Sequence, residues 1–210
     1  MSINQAGSGT LIAQSPSGDS WQLLSYTSPI LPIHAALLHT GKVFFFCGSG
    51  NDPSRLNSPY NSVVWDVNNG TFASQAPPMS ASGLPIDLFC AGQSFRSDGL
   101  LMIAGGTKQY DPFYGLPTAF FFDPSSEQLT QQAAMNNGRW YATLLTLGGG
   151  RIFALSGLDS NGNLNTQPEI YSYQFGPGWR AFPPTTSPFP QYAHMFLMSS
   201  RHLHNRNVLW

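Results

Sequence analysis

PIHAALLHTGKVFFFCG (32–48), DLFCAGQSFRSDGLLMIAGG (87–106) and RWYATLLTLGGGRIFALSG (139–157) align without gaps on one turn glycine each, Gly41, Gly99 and Gly150. Six residues beyond these glycines stand Cys47, Gly105 and Ser156, and one residue further Gly48, Gly106 and Gly157. The anchors are 58 and 51 residues apart, a period of the kind that marks repeated supersecondary units. Each segment reads as a hairpin: an apolar strand, a tight turn at Thr40-Gly41, Asp98-Gly99 or Gly149-Gly150, and a second apolar strand. The second strands (VFFF, LLMIA, RIFAL) are nearly all apolar, the pattern of strands buried on both faces. The helical reading is weak, since no window keeps a 3.6-residue period for three turns and Gly or Pro breaks most candidates.

A further strand pair follows each hairpin: SVVWD and TFAS, then TAFFFDPSSEQLT, then EIYSYQFGPGWRAF. Four strands in about 50 residues make one blade of a kelch-type β-propeller. The expected fold is all-β, with blades over roughly 31–80, 86–135 and 138–185 in a domain over 31–210. A fourth repeat starts at PQYAHMFLM, within 190–210; its turn is replaced by the longer SSRHLHNRN, and Val208-Leu209-Trp210 falls inside its second strand. Propellers have ~4–8 blades, and closure protects their edges, so three blades and a hairpin read as an incomplete, truncated propeller. Residues 1–30, with SGDSWQLLSYTS, read as a Ser/Gly-rich lead-in with one short strand that could complete the last blade of a full ring.

Composition agrees. Gly (21) and Pro (17) supply turns, and a 13% aromatic content supplies a core. Only 9% of residues are charged, against about 25% in ordinary domains. A net charge of −1 with scattered basic residues provides no nucleic-acid footprint. No apolar run approaches the ~18 residues of a membrane span. MSINQAGSGT lacks the basic and apolar regions of a secretory signal, which leaves a cytosolic chain or a true N-terminus elsewhere; the compartment stays open.

Repeat register puts two chemically interesting residues in one structural position. Cys90 lies nine residues before Gly99, and Tyr141 nine before Gly150. Both are expected at the start of the first strand of neighbouring blades, where that innermost strand opens on the central channel. The two side chains should therefore be close, on one face of the disc.

The residues around them, IDLFCAGQSF (86–95), GRWYATLLTLGGGRIFALSGLD (138–159) and PEIYSY (168–173), resemble the copper-radical oxidases, the family of galactose oxidase, glyoxal oxidase and their bacterial kelch relatives. The resemblance covers about residues 30–210. It implies that Cys90 bonds through sulfur to the Tyr141 ring, ortho to the phenol oxygen, and that Tyr141 is a copper ligand. An ortho thioether makes the phenol easier to oxidise, and phenolate suits Cu(II), which favours tetragonal N,O ligation. The implied reaction oxidises a primary alcohol, aldehyde hydrate or sugar and reduces oxygen to hydrogen peroxide, chemistry that belongs to the cofactor. A second tyrosine and two histidines complete the copper site in the family, from later blades and the C-terminal region. The chain alone is then expected to be inactive and to need a complementary C-terminal half. Galactose oxidase relatives stack a tryptophan over the thioether, eighteen residues after the tyrosine; here that position is Asp159. The shield is therefore absent or comes from elsewhere, and the reading leans towards the glyoxal oxidase side. Family members are largely secreted.

Plainer readings stand beside these. Cys90 and Tyr141 could be a buried thiol and a core aromatic. Cys47 ends the second strand of the first blade, so a Cys47–Cys90 disulfide is an alternative if the Cα atoms lie within ~7 Å. His34 and His194 lie near the starts of first strands, with a channel-facing or a structural role; His39 carries no motif. His202 and His204 fall in an apparent solvated loop beside Arg201 and Arg206. The run Asp159-x-Asn161-Gly162-Asn163-x-Asn165 is like a calcium loop, but positions 6 and 12 are Leu164 and Ile170 where an EF-hand needs Gly and Glu; a turn is expected. Arg139 could steady a carboxylate or carbonyl near the site, or join blades by a hydrogen bond. The competing functions are a non-catalytic kelch module that binds protein or carbohydrate, and a truncated remnant.

Overall fold

The computed structural model describes residues 12–14, 20–58, 61–173, 178–198 and 208–209. The described chain is all-β, with antiparallel sheets, no α-helix and one short 3-10 turn over Pro53–Arg55. No helix among these residues is long and apolar enough to cross a membrane.

Strands β1 (Ile12–Gln14) and β2 (Ser20–Gln22) pair with each other. The lead-in thus carries two strands where the sequence reading expects one. A lone strand would leave its backbone donors and acceptors unmatched, and a second strand nearby satisfies them.

Three four-stranded sheets follow. The first runs β3 (His34–Leu37), β4 (Val43–Phe46), β5 (Ser62–Asp66), β6 (Thr71–Gln75) in chain order. In the second, β7 (Gly92–Phe95) and β8 (Leu101–Ala104) lead to a separate small pair, β9 (Thr107–Gln109) with β10 (Tyr114–Gly115). The sheet is then completed by β11 (Ala119–Asp123) and β12 (Gln128–Gln132). The third is β13 (Thr143–Thr146), β14 (Ile152–Leu155), β15 (Glu169–Ser172) and β16 (Gly178–Ala181). A last pair joins β17 (Phe196–Leu197) to β18 (Val208–Leu209).

The three hairpins share one register. His34 pairs with Phe46, Gly92 with Ala104 and Thr143 with Leu155, each seven residues before and five after its turn glycine. The glycines themselves hold φ of 81°, 86° and 76°, a conformation that costs a residue with a Cβ.

Of the three apolar second strands, β8 is buried on both faces, as its composition predicts, whereas Val43 and Phe45 of β4 and Phe153 of β14 are only half-buried. In β8, Leu101 and Ile103 pack into the first sheet, against Phe44, Phe46 and Val64. Their neighbours Met102 and Ala104 face the third sheet, against Leu144, Ile152 and Tyr171. In β11, Phe120 and Phe122 point to the first sheet and Phe121 to the third; Phe122 stacks on Phe44 with centroids 4.0 Å apart. This period-two alternation ties neighbouring sheets face to face. Each fully buried Phe contributes about 1.5–3 kcal/mol.

First strands of successive sheets also meet. Gln93 Nε2 donates to the Ala35 carbonyl at 3.0 Å, Ser94 and Thr146 share a hydroxyl bond of 2.6 Å, and Thr143 Oγ1 donates to the Ala193 carbonyl at 2.8 Å. The joints between sheets require close backbone approach. A Cβ on Gly48 would lie 2.3 Å from the Phe89 nitrogen, and one on Gly105 2.3 Å from the Arg139 oxygen.

Candidate functional site

Cys90 and Tyr141 come together, but outside the strands. The first strands begin at Gly92 and Thr143, two residues later than the sequence suggests. The reason is backbone conformation: Cys90 has φ 61° and Tyr141 φ 65°, left-handed values that no β-strand accommodates. Such values are uncommon for residues other than glycine, Asn and Asp, and here they recur at one repeat position. The two turns are joined directly, because the Tyr141 N–H donates to the Cys90 carbonyl at 2.9 Å.

The side chains meet as well. Tyr141 packs against the cluster that contains Cys90, and the thiol and the phenol each feel the other's charge. Cys90 is buried, packed with Phe89 and Trp140. Burial pushes its thiol up to about 12, opposed by the Tyr141 hydroxyl. Tyr141 is also pushed up to about 12, by burial first and by the Cys90 contact second. Both groups therefore hold their protons at neutral pH. Because the thiolate is the nucleophilic form of cysteine, this thiol is unreactive by ordinary nucleophilic routes. A bond between the two residues requires oxidation.

Cys47 and Cys90 are not joined in a disulfide, and both are buried. Cys47 belongs to a different cluster, with Ile30 and Val63, and its thiol hydrogen-bonds to the carbonyls of Gly48 and Asn61.

Tyr141 is covered by its own neighbour. The Trp140 ring stacks on it with centroids 3.7 Å apart and planes 8° apart, and Phe113 stacks on the far side of Trp140 at 4.1 Å. Asp159, where the resemblance would put a covering tryptophan, instead closes a turn by accepting the N–H groups of Asn161 and Asn163. The calcium-like run is thus a turn.

Arg139 is fully buried and anchors this segment from behind. Its guanidinium donates to the Ser156 and Gln167 carbonyls and, at 3.0 Å, to Glu169 Oε1. The other Glu169 oxygen accepts from the Asn136 backbone and side chain, both at 2.7 Å. Arg139 thus holds a carboxylate of its own sheet rather than one at the site.

Tyr192 is the residue that sequence reasoning missed. It follows Tyr141 by 51 residues, as Tyr141 follows Cys90, and all three are followed by alanine. Its φ is 49°, its N–H donates to the Tyr141 carbonyl at 2.9 Å, and its ring stacks on Tyr141 at 4.5 Å. The signal was present in the repeat spacing, but the fourth repeat lacks the turn glycine on which the others align.

A cleft of about 410 Å³ opens beside these residues, lined in part by His34, Gln93, Tyr192, His194 and Phe196. His34 stacks on Phe46 at 4.3 Å and meets the Tyr192 ring edge-on. Burial lowers its pKa from 6.5 to about 4, so it is neutral near pH 7. The described residues contain no group of three or more His, Cys, Asp or Glu able to hold a metal. Tyr141 offers one phenol oxygen. His202, His204, Arg201 and Arg206 lie outside the described residues.

Comparison with known proteins shows the fold and not the activity. No protein-family profile matches the chain, and no curated protein matches it. Among solved structures it is similar to a fungal alcohol oxidase of the AA5 family, described as having catalytic diversity within that family and solved in complex with copper. The TM-score is 0.52 at 21% identity, over 72% of this chain and 30% of that one. The chain therefore spans about 30% of that oxidase's length and shares the fold of that part.

Proposed function

We propose that this chain is the N-terminal part of a copper-radical oxidase-like protein, an incomplete kelch-type β-propeller in which Cys90 and Tyr141 form the thioether cofactor. One observation carries the reading: a thiol and a phenol pack together at equivalent left-handed positions of adjacent repeats, joined by a backbone hydrogen bond. The four-stranded repeats and their meeting first strands support the propeller. Likeness to about a third of a copper-bound alcohol oxidase supports the family. Exposed Phe196, Leu197 and Met198 on the last repeat support its completion by a further, complementary part of the polypeptide.

The residues present fit the cofactor in part. The thiol belongs to the cluster on which the phenol it would join packs, and Tyr141 would supply one oxygen of the tetragonal N,O set that Cu(II) favours. The other donors belong to the completing polypeptide, so the chain alone should be inactive. Bound copper, with the modified tyrosine, would supply two-electron oxidation of a small alcohol, aldehyde hydrate or sugar, with oxygen reduced to hydrogen peroxide. Trp140 covers one face of the Tyr141 ring and keeps water from it, and the buried thiol keeps its proton until oxidation.

Forming the link joins Cys90 Sγ to a Tyr141 ring carbon ortho to the hydroxyl. The S–H and that ring C–H are lost, and their two electrons and two protons reduce dioxygen to hydrogen peroxide. The test is peptide mapping of the protein, with the downstream product of its gene, after Cu(II) in aerated buffer. A Cys90–Tyr141 cross-linked peptide, lighter by two hydrogens than its parts and absent in Cys90→Ser, is expected. Quantitative recovery of Cys90 as an alkylatable thiol would refute the cofactor and leave a binding module.

A further inference from the structure

We infer that Tyr192 is a third member of this site, a positioning residue that clamps the Tyr141 ring against Trp140 and holds the Cys90 thiol towards it. The inference rests on the cofactor proposed above and deepens it.

Three observations converge. The first is register: Cys90, Tyr141 and Tyr192 follow one another at 51-residue intervals. The first repeat breaks this series with Pro32, whose ring forbids a positive φ. The second is the backbone. The three residues share φ of 61°, 65° and 49°, and each N–H of the later two donates to the preceding member's carbonyl at 2.9 Å. Holding a bulky residue in this region costs about 1–3 kcal/mol, and the fold does so for all three, which turns their side chains into one small space. The third is the side chains. Trp140 and Tyr192 both stack on Tyr141, at 3.7 Å and 8° and at 4.5 Å and 22°. Two rings that near and that parallel cannot share a face, so Tyr141 lies between them.

The Tyr192 hydroxyl donates to the carbonyl of Ala91, the residue after Cys90, at 3.4 Å. The Cys90 thiol interacts electrostatically with both phenols. Only Tyr141 is held between two rings, with no freedom to turn away from the sulfur. Coupling at a ring carbon needs the reacting atoms held in a near-attack geometry, and Tyr192 supplies that restraint without being consumed.

The experiment uses a Cys47→Ser background, so that Cys90 is the sole thiol, with Tyr192→Phe and Tyr192→Leu. In metal-free protein, the S–H stretch of Cys90 is read by Raman spectroscopy. Tyr192→Phe keeps the ring and removes the hydroxyl, and should shift the stretch. After Cu(II) and oxygen are added, Tyr192→Leu should form the Cys90–Tyr141 link about tenfold more slowly, with Tyr192→Phe closer to the parent. A stretch unchanged in Tyr192→Phe together with an unchanged link rate in Tyr192→Leu overturns the role, as does coupling of Cys90 to Tyr192 itself. If the parent forms no link but the stretch still moves, Tyr192 holds the thiol and the cofactor reading is what fails.

Discussion

Replacing Arg139 by methionine removes the charge that holds the segment leading into Trp140 and Tyr141. The Arg139 and Glu169 side chains are 0% and 1% exposed. Arg139 donates to Glu169 Oε1 at 3.0 Å and to the carbonyls of Ser156 and Gln167. Methionine fills much of the same volume and offers none of these donors. Glu169 would keep only its two bonds from Asn136, as a buried carboxylate without a counter-ion. Breaking a buried pair in this way costs about 3–5 kcal/mol, most of it the stranded charge. The assay is urea unfolding followed by tryptophan fluorescence, with the midpoint read at constant slope. The double variant Arg139→Met/Glu169→Leu removes both charges, and should lie about 2 kcal/mol or more above the sum of the single losses. A loss below about 1 kcal/mol for Arg139→Met, or strict additivity in the double variant, would show that the ion pair does not hold this segment.

Two further outcomes test the fold around the site. Gly105→Ala places a Cβ 2.3 Å from the Arg139 oxygen at φ 93° and should cost about 2–3 kcal/mol, whereas Gly83→Ala, at φ 77° with nothing within 4 Å, should cost about 1–2 kcal/mol; equal losses in urea titrations would refute the close joint. His34 has its pKa lowered by burial from 6.5 to about 4. The unfolded chain therefore binds a proton there before the native one does. His34's contribution is complete above pH 6.5 and is lost as pH falls towards 4, by up to about 3 kcal/mol. His34→Phe should flatten that part of the stability–pH curve, and an unchanged curve would place the ring in solvent.

The all-β class and the three hairpin turns were legible because their causes are local. A glycine with positive φ, an apolar strand on each side and a 51- or 58-residue period are properties of short segments. Two-faced burial of β8 and β11 follows from composition alone, since period-two side chains that are apolar on both sides have to be covered on both. The same register brought Cys90 and Tyr141 to one position without any coordinates.

What surrounds that pair was decided by tertiary structure. Trp140 and Tyr141 are sequence neighbours, and in an extended strand they would point to opposite sides; the φ of 65° at Tyr141 folds one ring onto the other. No local pattern announces a left-handed tyrosine, because its cost is met by contacts from other sheets. The separation of the two thiols has a similar origin, since Cys47 and Cys90 each sink into a different cluster. Arg139 found Glu169 thirty residues on, through a sheet that first had to form. Tyr192 lay in register all along, but only the packed structure, with its ring on Tyr141 and its hydroxyl on the Ala91 carbonyl, distinguishes it from the other tyrosines.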